Sequence, residues 1–304
     1  MPEQKHFVVE ALQAREVVGM TGDGVNDAAA LKQADVGIAV HGASDAARGA
    51  SDLVFSRPGI GPIVVCIVRA RKIFERLRNY LLFRISISIS VLCCSFVLLL
   101  AHQFALPPLA LVVLVICLDL TVLASSKDKV FPAQKPSEWR LGELVALAAV
   151  LGLLGTLEGC AAYWLGSSSA LFFSEGLSDE ELAALVYLAL SLGSQLSIFV
   201  CRTRSLFFSR RPGWSLAITV GLGLLTAVLI SVFAVFEGFR GAIVKDCAGV
   251  LLICLAFFLL KDIVKVLVLQ GFKFREKSHR KHEQFYEENR KLLSDMSGER
   301  RLSL

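Results

Sequence analysis

Residues 20–40 read MTGDGVNDAAALKQADVGIAV, with Asp23, Asn26 and Asp27 set around Gly22 and Gly24 before the chain turns to small apolar residues. Upstream, EVVGM over residues 16–20 is a short valine-rich run that predicts a strand. Downstream, AAALKQA predicts a helix capped by the polar residues before it, and VGIAV over residues 36–40 a second strand. Further out, residues 3–15 place Phe7, Val8, Ala11 and Leu12 at helical spacing. SDAARGAS (residues 44–51) predicts a short helix and LVF (residues 53–55) a last strand. Strand and helix alternate, so the expected fold is part of a parallel, doubly wound α/β sheet.

The rest of the chain is of another class. With 304 residues, 55% of them apolar, 20 Phe and a mean hydropathy of +0.61, it is too apolar for a water-soluble domain. The excess lies after about residue 80. The net charge of +5 sits mostly beside apolar runs, where orientation in a bilayer accounts for it, and nucleic acid is not an expected partner. The eight Cys have no CxxC spacing, which points to buried free thiols and away from a metal site or disulfides. MPEQKHFVVEALQARE lacks the apolar core of a signal peptide.

A bilayer span needs roughly 20 mostly apolar residues. Six stretches satisfy this, at about 81–101, 104–125, 144–165, 182–200, 214–236 and 247–269, and lipid is the expected surrounding. From Gly59 to Arg78 an amphipathic pattern runs without a breaker into the first span, predicting one continuous helix between the polar and apolar parts. The connection after the second span holds Lys127, Lys129, Lys135 and Arg140, and that after the fourth Arg202, Arg204, Arg210 and Arg211. Both are expected in the cytosol, with both termini. AHQFALPP and GSSSALFFSEGLSDEE lack Lys and Arg and are expected outside; only Arg240 and Lys245 run against this rule. The tail from Gly271 is basic and helical in composition, suited to the headgroup region. Its end, Arg300-Arg301-Leu302-Ser303, has the form basophilic kinases favour, so Ser303 is a candidate phosphosite and a regulatory kinase a candidate partner.

A loop that leaves a strand's carboxyl end sits at the ligand-binding edge of such a sheet. Thr21, Gly22 and Gly24 suit close approach of backbone N–H groups to phosphate. Asp23 and Asp27 would repel that phosphate unless a divalent cation intervenes, and Mg2+ takes one or two carboxylates with water and phosphate oxygens. The bland alternative is an Asx-rich turn without a ligand.

TGDGVNDAAALK closely resembles the hinge signature TGDGVNDAPALK of P-type ATPases, within a phosphorylation domain of haloacid-dehalogenase type. PEQK (residues 2–5) resembles that family's P-x-x-K segment. SDAARGASDLVFSRPG, ARKIFERLRNY, SSKDKVFPAQKPSEWRLGE and SQLSIFVCRTRS resemble the plasma-membrane proton pumps among them, over about residues 1–270. The resemblance implies a phosphorylation-domain remnant (1–58), a stalk helix (59–80), an α-helical transmembrane bundle of six helices (81–270) and a cytosolic basic tail (271–304). It also implies that Lys5 stabilises phosphoryl oxygens, that Asp23 binds Mg2+, and that Asn26 and Asp27 complete the phosphate and metal shell. ATP is the implied fuel of the intact pump.

Two departures matter. The family's Pro is Ala29 here, and no D-K-T-G-T occurs in the 304 residues, so the phosphorylated aspartate, the nucleotide-binding domain and the first four helices are lacking. The expectation is a C-terminal fragment that needs the N-terminal half of the pump as its partner and does not hydrolyse ATP alone.

Ionisable groups inside a span are functional candidates. Three stand out: Arg84, Asp119 and Glu158. In the resembling pumps the aspartate in the position of Asp119 accepts and releases the proton, and burial is expected to hold it protonated until its surroundings change. The position aligned with the neighbouring arginine of plant-type members is Ser90, leaving Arg84 as a substitute or as a group that snorkels to the interface. Glu158 is expected at a water-facing edge. Ca2+ needs about 6–8 oxygens, which one carboxylate between two helices does not offer, so protons are the expected cargo. The rival expectations are a non-catalytic membrane protein that associates with an intact pump, and a pump for another cation.

Overall fold

The computed structural model describes residues 2–133, 139–168, 173–174, 176–233, 239–241 and 245–272. The chain is mostly helical, with one small parallel sheet, and divides into two compact units. Unit 1 runs from Met1 to Ile73 and unit 2 from Phe74 onward, with a short exchange at Pro132–Gln134.

Unit 1 holds α1 (Pro2–Gln13), β1 (Gly19–Gly22), α2 (Ala28–Gln33), β2 (Val36–Ala39), α3 (Asp45–Ala50) and β3 (Leu53–Val54). The strands are parallel in the order β1-β2-β3, as the alternation predicts, with Gly19 opposite Val36 and Ile38 opposite Leu53. β1 begins three residues later than expected, and Val17 is 84% exposed. Gly37 is required: a side chain there would run into the Leu31 carbonyl, so its absence lets α2 lie on β2. A small core of Val9, Ala30 and Ala34, with Val18 and Met20 against it, holds α1 and α2 on the sheet.

One expectation fails locally. Asp27, the residue before α2, makes no side-chain cap; a 3-10 turn, Val25–Asp27, leads straight into the helix. α2 is also only six residues long, too short to count on a helix dipole.

Helix α4 (Gly61–His102) is continuous over 42 residues, as the unbroken pattern predicts. Unit 2 adds α5 (Pro108–Ser125), α6 (Leu141–Ser168), α7 (Asp179–Cys201) and α8 (Trp214–Phe233), and residues 245–272 form a further helix, α9. Helices α4 to α8 are long and apolar enough to cross a membrane. Pro107 and Pro108 set the start of α5 four residues later than expected, because proline suits a first turn and has no N–H to lose there. α7 starts earlier than its apolar run: Ser178 accepts from the Glu181 N–H at 3.3 Å, and Glu181 Oε2 accepts from the Ser178 N–H at 2.9 Å.

α7 is the core of unit 2, with 83% of its apolar stretch buried against 22% for α5. A helix apolar on all sides must be covered on all sides. α6 reaches α4 through small residues: side chains at Gly152, Gly155 and Gly159 would strike Ile89, Ser90 and Cys94. The loops pair by end. Asp128, after α5, accepts from Arg202 Nε at 2.9 Å and from the Gly213 N–H at 2.8 Å, and Arg202 donates onward to the carbonyls of Arg210 and Arg211. The two basic connections therefore lie at one end of unit 2, as charge alternation predicts. Ser174 donates to Asp246 at 2.8 Å, joining the segment before α7 to the start of α9.

Candidate functional site

In unit 1 the candidate residues gather at the carboxyl end of β1. Gly22 ends the strand, and its carbonyl accepts from the Val40 N–H at 3.2 Å. The Asp23 carbonyl accepts from the Ser44 N–H at 2.8 Å, so the loop after β2 pins the turn. Asp27, only 5% exposed, points back into this turn. Its Oδ2 accepts from the N–H groups of Asp23 and Gly24, each at 3.3 Å, and its Oδ1 accepts from Lys5 Nζ at 2.6 Å. Lys5 and Asp27, 22 residues apart, thus meet. The lysine bond holds the Asp27 carboxyl below the ordinary aspartate range against the opposing effect of burial, with the two amides helping. The same bond raises the Lys5 ammonium above its ordinary value.

Gly22 and Gly24 have different reasons. A side chain at Gly22 would collide with the Asp27 side chain, its Cβ 2.6 Å from that of Asp27. Gly24 has φ −98° and ψ 164°, extended backbone open to any residue, so the backbone conformation does not itself require glycine there. Thr21, Asp23 and Asn26 are exposed at the same edge.

The donors fit Mg2+ in a restricted way. Among the described residues no three His, Cys, Asp or Glu side chains group to hold a metal. Mg2+ bound through few carboxylates and substrate phosphate needs no such group, and the exposed Asp23 carboxylate suits that role. Asp27 suits it less, because Lys5 and two amides already use its oxygens.

In unit 2, Arg84 Nη1 on α4 donates to Asp119 Oδ1 on α5 at 2.6 Å. The arginine does not snorkel away; it pairs. Asp119 is not buried as expected, since 57% of its side chain and 40% of that of Arg84 are accessible. Neighbouring Leu118 and Thr121 face inward, and Asp119 falls on the outward side of α5. Ser90, 7% exposed, faces α6 near Gly155 and Thr156, away from a role beside Asp119.

Glu158 is the clearest correction. It lies at no water-facing edge; it is 2% exposed, and its Oε2 accepts from Lys261 Nζ on α9 at 2.5 Å. Its Oε1 lies against Gly193 without a hydrogen-bond partner among the described residues. The Cys254 thiol is near this carboxyl but gives its proton to the Ala189 carbonyl. Lys265, fully buried, donates to Asp262 at 2.6 Å, to the Ser205 carbonyl at 2.7 Å and to the Val200 carbonyl at 3.0 Å. Sequence reasoning missed Lys261, Asp262 and Lys265. Their signal was present: lysines four residues apart share one face of a helix, and here that face is charged inside an apolar run. Ser303 and most of the basic tail lie outside the described residues. No protein-family model matches this chain.

Proposed function

We propose that the chain carries the C-terminal part of a P-type proton-exporting ATPase of the plasma membrane, with six membrane helices and a remnant of a haloacid-dehalogenase-like phosphorylation domain. The observation that supports it best is the 2.6 Å contact between Lys5 and Asp27, which brings the PEQK and TGDGVND segments to one strand end. An N-terminal half would supply the aspartate that accepts the phosphoryl group of ATP. Lys5 would then turn from Asp27 to the phosphoryl oxygens, while Asp27, fixed by two amides, keeps the turn in shape. Asp23 would hold Mg2+, which when bound neutralises phosphoryl charge.

Asp119 is the proton carrier in this scheme. The pair with Arg84 would be the arrangement after release, and separation of the pair would free the carboxyl for the next proton. A carboxylate and a guanidinium on the outward side of membrane-length helices are costly against lipid. Further polar helices, of the kind an N-terminal half provides, would cover them.

Phosphoenzyme formation tests the division of labour. The purified chain is expected to form none from ATP, and co-expression with an upstream half bearing D-K-T-G-T is expected to restore it. Lys5→Ala should then lower the rate by about 100-fold, the scale of one lost electrostatic donor. Phosphoenzyme formed by the chain alone would sink the proposal, and transport of Na+ or Ca2+ that survives a proton ionophore would favour another cargo.

A further inference from the structure

Inside unit 2 a cavity of about 10 Å³ lies among α4, α6, α7 and α9. Ser86, Ser90, Gly155, Ser194, Ser197 and Lys261 are among its lining residues. Its polar groups are incompletely used. The Lys261 ammonium has three N–H donors and spends two, on Glu158 Oε2 at 2.5 Å and on Ser197 Oγ at 3.2 Å. Ser197 gives its own proton to the Gly193 carbonyl at 2.6 Å, and Ser86 gives its to the Leu82 carbonyl at 2.6 Å, so both are satisfied. The hydroxyls of Ser90 and Ser194 engage no other described residue. Both residues are buried, at 7% and 5% exposure, and Lys261 at 4%.

Three residues with hydrogen-bonding capacity left over among the described residues therefore line a space the size of one water. A buried water needs roughly 10–15 Å³ and two to four polar partners, and typically makes about three hydrogen bonds. A buried ammonium N–H left without a partner is costly, whereas a water in hydrogen-bond contact removes that cost. The space is too small for a hydrated metal ion or an organic ligand.

We propose that this cavity is a binding site for a single water molecule, held by Lys261 Nζ, Ser90 Oγ and Ser194 Oγ. The water gives the buried ammonium its third partner. It also completes a hydrogen-bonded chain from Ser90 on α4 through Lys261 on α9 to Glu158 on α6, so the ion pair is hydrated inside the bundle. Nothing in this requires the chain to be a pump.

Crystals of the full chain grown from a lipid phase, at a resolution where ordered waters are seen elsewhere, test it directly. Density for one water within hydrogen-bond reach of Lys261 Nζ is expected; an empty cavity in the wild-type chain overturns it. Ser194→Val gives an independent reading in lipid nanodiscs, because the two cases differ in sign. In a hydrated cavity valine expels the water, strips Lys261 of a partner and lowers the melting temperature. In a dry cavity valine fills a void and raises it, which would contradict the proposal. If Ser194→Val fails to fold, the wild-type density still decides.

Discussion

Asp27 carries more of unit 1 than its place in a turn suggests. Its carboxylate serves Lys5 and two backbone amides, so Asp27→Ala frees the N–H groups of Asp23 and Gly24. Losing those two charge-assisted bonds is expected to cost about 1–3 kcal/mol, with nothing added for Lys5, whose side chain stands half in water. Hydrogen exchange at Asp23 and Gly24 should accelerate while exchange in α7 stays unchanged. The pH dependence follows from the lowered carboxyl: the folded value lies below the ordinary one near 3.9. Its contribution is therefore in place above about pH 4 and is lost as pH falls through the folded value, as hydrogen exchange at these amides between neutral and acid pH should show. The Glu158–Lys261 pair calls for a double-mutant cycle. Either Glu158→Gln or Lys261→Met alone should cost about 3–5 kcal/mol in denaturation of the nanodisc-held chain, and the double variant clearly less than the sum. At this scale the motifs named Lys5 and Asp27 as candidates, each for a role toward phosphate or metal, while their contact with one another emerged only on folding. The sequence was not legible for Glu158, because position along a helix gives depth in a membrane but not the direction a side chain takes. Arg84 and Asp119 resemble the first case: both were candidates, and only folding pairs them.

Helices α4 and α6 depend on the absence of side chains. Gly155 and Gly159 let α6 approach Ser90 and Cys94, where any Cβ would collide. Gly155→Leu is expected to force the helices apart and destabilise unit 2 by about 1–3 kcal/mol or more, measurable as a lower melting temperature in nanodiscs. Gly142→Leu, at the start of the same helix where space is open, should be nearly silent. Element existence was readable from periodicity and hydropathy: strands, the long α4 and the apolar helices fall near where the pattern puts them. Their ends were less so. Prolines at 107 and 108 delay α5, and the Ser178–Glu181 capping box advances α7 beyond its apolar run, because backbone satisfaction, not hydropathy, sets a helix end. Lys261 and Lys265 were hidden in a stretch whose mean was apolar, yet their four-residue spacing gives one face a polar line that only a buried partner, here Glu158 or Asp262, could satisfy.

For the whole molecule, the alternation of basic loops with loops lacking Lys and Arg foretold that the connections after α5 and α7 share one end, and the Asp128–Arg202 pair joins them there. What the sequence could not convey is that Asp119 faces outward, since that depends on which side of α5 its neighbours occupy. On the proposed reading the outward pair bears most heavily on function, because a proton carrier needs surroundings that change while a merely structural pair does not. ATP-dependent acidification of vesicles holding the chain together with an upstream half is the measurement that decides. Proton uptake into the vesicles is expected, reduced to background by Asp119→Ala at equal protein content. Undiminished acidification with Asp119→Ala would contradict the assignment of Asp119 as the proton carrier.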